Sequence, residues 1–176
     1  MADFFNFVDV DERHFYWGTG NLVKFAEGLL RIEVINQVLF VFDNDAEGVD
    51  AFRKFEKLDT PSNMRAMLLP NLDEFKKFRT LGPEGVNTSN INGRAAAIEC
   101  YLDLCLDQYP PAQVTWSNFK KDINVWHGVL DFKESYAKYF YEQSDKQLQD
   151  GTYNVSKLLK LTHALIREAG LVTPVI

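Results

Sequence analysis

Apolar positions along the chain alternate between unbroken runs and a helical period. Val38-Leu39-Phe40-Val41-Phe42 is a continuous run of strand formers, which predicts a strand buried on both faces. Met64 to Leu69 is a second apolar run, stopped by Pro70-Asn71. Between and before these, the period changes to helical. Leu22, Phe25, Ala26, Leu29 and Leu30 share one face after Asn21, and Val49, Phe52 and Phe55 form the inner stripe of a helix from Gly48 to Leu58. His14-Phe15-Tyr16-Trp17 reads as a short strand ended by Gly18-Thr19-Gly20. Strand–helix alternation of this kind implies right-handed crossovers and a mainly parallel sheet.

Beyond Leu69 the pattern loosens. Thr80 to Arg94, with Gly82-Pro83, Gly85 and Gly93, reads as a long loop, and Ala95 to Asp107 as a helix stopped by Tyr109-Pro110-Pro111. The remainder reads as mostly helical, ending with a helix from Val155 to Glu168 that Asn154 caps and Gly170 ends. The expected organisation is an α/β core over residues 1–110 and a helical extension over 111–176 packed on the same domain.

Composition narrows the class. The 176 residues are 46% hydrophobic, 14% aromatic and 25% charged, which suits a globular chain and excludes a disordered one. No apolar run reaches the roughly 18–20 residues of a membrane span, and the first residues are acidic, so neither a membrane helix nor a secretory signal is expected. Cys100 and Cys105, the two cysteines, cannot build a disulfide framework or a four-cysteine zinc site, and they read as buried filler in a reducing, cytoplasmic setting. A net charge of −6 argues against nucleic-acid binding by bulk charge, but not against a local basic patch or a cation held by carboxylates.

The chemistry concentrates in Phe42-Asp43-Asn44-Asp45-Ala46-Glu47-Gly48, at the carboxyl end of the first apolar strand, where open α/β sheets place ligands. In extended backbone Asp43 and Asp45 point the same way, and two adjacent carboxylates share a proton or hold a divalent cation. Three readings of these residues stand side by side. One is a solvated turn in which Asp45 caps the next helix. Another is a calcium loop, which Asp43, Asp45, Glu47 and Gly48 begin but Lys54 fails to complete. The third is a magnesium site.

The run from Val38 to Gly48 resembles the Asp-x-Asp segment of Toprim domains. Leu68-Leu69-Pro70, Gly82-Pro83-Glu84-Gly85 and Ile91-Asn92-Gly93-Arg94-Ala95-Ala96-Ala97-Ile98-Glu99-Cys100-Tyr101-Leu102 extend the likeness towards nucleases of the overcoming-lysogenisation-defect and HEPN/Toprim-associated type. The resemblance spans about Phe15 to Asp103. It implies a Toprim-like, Rossmann-like sheet flanked by helices, and Mg2+ or Mn2+ on Asp43 and Asp45 with Glu99. Asp103, one turn further along the expected helix at i+4, joins Glu99 on the same face as a further candidate ligand. It also implies phosphodiester hydrolysis in nucleic acid, DNA favoured over RNA, in antiviral defence, within a larger defence protein or complex or a homo-oligomer. Lys133 matches a late lysine beside the leaving oxygen in such enzymes. Toprim domains carry a general acid/base Glu at the end of the first strand, where Trp17 stands here. That departure supports an alternative, a degenerate module that binds nucleic acid or a protein without cutting. Arg94, Lys76, Lys77, Lys120 and Lys121 are the candidate contacts for a nucleic-acid backbone.

Overall fold

The computed structural model describes residues 19–120 and 125–171. The expected first strand, Trp17, Lys121 and the last five residues lie outside them.

Helix α1 (Thr19–Leu29) forms where its apolar stripe predicted, burying Val23 and Ala26. Strand β1 (Val38–Phe42) runs parallel to β3 (Met64–Leu68), in a register that pairs Val38 with Met64 and Phe42 with Leu68. Helix α2 (Ala46–Phe55) makes the crossover between them. Phe40, Phe42, Phe55, Ala51 and Met64 close one core against α1 and α2. The expectation that β1 is buried on both faces is corrected, because Val41 is 36% exposed while Phe40 and Phe42 are buried, so the strand alternates. Asn63, fully buried ahead of β3, donates to the carbonyls of Val34 and Asn36 at 2.7 and 2.9 Å and so pins the entry to β1.

The next segment departs from the expected loop. Phe78–Gly82 (β4) and Gly85–Ser89 (β5) form an antiparallel hairpin, with Gly82 opposite Gly85. Pro83 suits the first corner of its turn, and Gly85 takes φ 95°, which a side chain would strain.

The helix expected over Ala95 to Asp107 is also corrected. Ala95–Ala96 is a strand, β6, paired antiparallel with the two-residue strand β2 (Asn44–Asp45), and Ile98–Tyr101 is one 3-10 turn. Alanine favours helices, but here the pairing to β2 and complete burial of Ala96 override that preference.

The chain after residue 110 begins with strands rather than helices. β7 (Val114–Lys120) and β8 (Val125–Leu130) pair antiparallel, and β7 joins β4 in parallel, so one sheet of order β5-β4-β7-β8 crosses the expected boundary at 110/111. Among the strands of the described residues, parallel pairing is therefore limited to β1–β3 and β4–β7, and the architecture is mixed α/β. Helices α3 (Lys133–Tyr141), α4 (Asp145–Gln149) and α5 (Ser156–Ala169) follow. The last helix forms as expected, but the capping role of Asn154 is corrected: Val155 is the N-cap, without a side-chain cap bond, and Asn154, one residue before it, accepts the Ser156 amide at 3.0 Å. A second core, from Leu69 and Phe75 through Tyr101 and Val114 to Tyr136 and Leu161, joins both parts of the chain. Among the described residues no helix is long and apolar enough to cross a membrane.

Candidate metal centre

The acidic segment follows β1 directly. Its geometry depends on Gly48, in the first turn of α2, where a β-carbon would lie 2.0 Å from the Asp43 carbonyl oxygen. Only glycine lets the helix start this close to the strand end. Asp45 caps that helix, its Oδ1 accepting the Gly48 amide at 2.7 Å, so the capping role foreseen for Asp45 is present. Asn44, buried between the two acids, turns away from them: it donates to Asn71 Oδ1 and accepts the Gly93 amide, both at 2.8 Å. The β1 end is thereby tied to the chain after β3 and to the approach to β6. Sequence reasoning passed over Asn44, although its place between two aspartates on an extended segment was the available signal.

Asp43 faces the 3-10 turn that holds Glu99. The Ile98 amide donates to Asp43 Oδ1 at 3.0 Å, and Lys133, first residue of α3, approaches Glu99 Oε1 at 3.6 Å. Burial pushes the Asp43 carboxyl up to about 7, with the charges of Asp45 and Glu99 adding in the same direction; the Ile98 amide and Lys133 oppose them. Residues far apart in sequence thus meet electrostatically at one strand end: Asp43, Asp45, Glu99 and Lys133. The corner that presents Lys133 is fixed from behind. Asp131 accepts from Gln113 at 2.9 Å and from Thr115 at 2.7 Å, and Phe132, held at φ 57°, stacks on Tyr109 with ring centroids 4.5 Å apart.

Asp103 does not join this group. It is buried elsewhere, with Oδ1 accepting the Cys105 amide at 3.1 Å and Oδ2 the Asn154 amide at 2.9 Å, while its own amide donates to Tyr153. With no helix from Ala95 to Asp107, the i,i+4 relation that would have aligned Asp103 with Glu99 does not exist. Cys100 is buried as expected, but Cys105 is exposed. Glu27 is an exposed residue of α1.

The candidate basic contacts scatter. Arg94 stacks over Trp116 at 4.6 Å and makes an isolated backbone bridge with Asp45, so it alone borders the acidic segment. Lys76 pairs with Asp73 at 2.6 Å on an exposed 3-10 turn, and Lys77 is exposed on the same turn. Lys120 ends β7.

The donor chemistry suits a hard cation, since a divalent charge relieves a carboxyl that burial and acidic neighbours push up as they do Asp43. As the side chains stand, however, no three His, Cys, Asp or Glu residues among those described are gathered into a ligand set. Comparison with known proteins gives no match to a family model, to a curated protein or to a solved structure.

Proposed function

We propose that this chain is a divalent-cation-dependent nuclease of the Toprim type, hydrolysing phosphodiester bonds in nucleic acid in a defence setting. The observation that carries the reading is the placement of Asp43 and Asp45 just beyond the carboxyl end of β1, with Asp43 accepting the Ile98 amide on the turn that bears Glu99; burial and these acidic neighbours push the Asp43 carboxyl up to about 7. The β1–α2–β3 crossover with that acidic end supports the finer, Toprim-like reading of the fold.

Asp43 and Asp45 would hold Mg2+ or Mn2+, and Glu99 would join them on exchanging Lys133 for the ion. Such an ion, when bound, lowers the pKa of water and neutralises charge on phosphoryl oxygens. The Ile98 amide orients Asp43 through Oδ1, and the Gly48 amide does the same for Asp45. Lys133, released from Glu99, supplies positive charge where the leaving oxygen gathers negative charge. Arg94, whose backbone bridges to Asp45 while its guanidinium lies over Trp116, would hold a neighbouring phosphate. Asp43→Ala and Asp45→Ala are each expected to abolish manganese-dependent nicking of supercoiled plasmid. Activity equal to wild type in both would end the proposal.

A degenerate module that binds without cutting is favoured by Trp17 in place of the Toprim acid/base Glu and by Oδ1 of Asp45, which is already engaged in the helix cap. Calorimetry separates the two, since the module neither takes up magnesium nor cleaves any substrate.

A further inference from the structure

The hairpin β7–β8 carries a row of large apolar side chains on one face. It begins in the core with Val114 opposite Leu130, both buried, and continues with Trp116 opposite Gly128. A β-carbon at Gly128 would lie 2.7 Å from the Trp116 ring, so the glycine makes room for the indole to lie flat across the strand. The row ends with Phe119 opposite Trp126, rings 5.5 Å apart, 42% and 37% exposed. Strict alternation from Trp116 would send Phe119 to the opposite face. The bulge between Trp116 and Asn118 inserts the extra residue that turns it back into the row. Aromatic side chains aimed into solvent in this way call for a partner.

The row leads to the acidic strand end. β8 packs beside β6 and α2, the elements that hold β2, and Arg94 covers Trp116 while bridging to Asp45. A cation and flat rings in one line fit a chain of phosphates and bases. Only unpaired bases can offer their faces to such rings, because a duplex hides them in its stack.

We infer that Phe119 and Trp126 form a stacking platform that receives the unpaired bases of a single strand, and that Arg94, seated on Trp116, leads its backbone to the carboxylates. The inference rests on the nuclease reading of that site and narrows its substrate to single-stranded or frayed nucleic acid.

The test is fluorescence anisotropy of a labelled oligothymidylate, and of a labelled duplex of the same length, with the full chain in EDTA. The single strand is expected to bind more tightly than the duplex. Phe119→Ala combined with Trp126→Ala should weaken single-strand binding about tenfold, and Phe119→Tyr with Trp126→Phe should restore it. Thermal unfolding confirms that both double variants fold. Binding indifferent to the alanine pair, or tighter binding of the duplex, overturns the platform. So does a dimer of wild-type protein that the alanine pair dissociates without affecting oligonucleotide binding, since the occupant is then a second copy. Binding is read without metal or cleavage, so the two proposals fail separately. Wild type that binds the single strand through these rings but cuts nothing with manganese keeps the platform and removes the nuclease.

Discussion

At the scale of single residues, Asp43 ties stability to pH. Between about pH 4 and about pH 7 the unfolded chain has lost this proton while the folded chain keeps it, so the folded state loses stability as pH rises, by about 1.4 kcal/mol per unit. Above about 7 both states are ionised and the loss levels off. Urea unfolding of metal-free protein should therefore show a decrease on the order of 3 kcal/mol from pH 5 to pH 8 that Asp43→Asn lacks. Added Mg2+ at pH 8 should recover stability in wild type and not in the variant. Asp103 is the contrasting carboxylate. Both its oxygens accept backbone amides, so Asp103→Ala strands two donors and should cost about 2–4 kcal/mol while leaving magnesium affinity unchanged by calorimetry. A fall in affinity on that substitution would return Asp103 to the metal site.

At the scale of elements, β1, α2 and β3 were legible because one strong signal decided each: an unbroken apolar run, a helical stripe, a second run stopped by proline. The place of Asp43 and Asp45 just beyond β1 was legible with them, because it follows from where the apolar run stops. The hairpins were not. β7 and β8 interrupt their strand formers with Ser117, Asn118 and Gly128, and the reason for each lies in a partner strand distant in sequence. Ala95–Ala96 reads as helix until β2 is there to pair with it. Glu99 was found through the resemblance, and its placement depends on a single 3-10 turn rather than the helix expected. The junction of β1 and α2 is testable by itself. Gly48→Ala places a methyl group against the Asp43 carbonyl, which should cost about 1–3 kcal/mol or more, read as a lower melting temperature, and should remove cleavage even in protein that still folds.

For the whole molecule, the boundary at residue 110 is the reading that the sheet most affects. β4 pairs with β7, and one core draws on Leu69 and Phe75 as well as Tyr136 and Leu161. A chain ending at residue 110 should therefore show no cooperative unfolding of its β4–β5 region, by circular dichroism or hydrogen exchange, although the α1–β1–α2–β3 unit has its own core and can retain protection. The order β5-β4-β7-β8 also has a consequence for synthesis. A ribosome delivers the first core complete by Leu68, whereas the edge of β4 and the Phe75–Tyr101 surface must wait uncovered until β7 and α5 have emerged. The nascent chain thus passes through an interval in which its early half is folded and its later half is adhesive, and heat-shock or crowded translation should penalise it there before any other step.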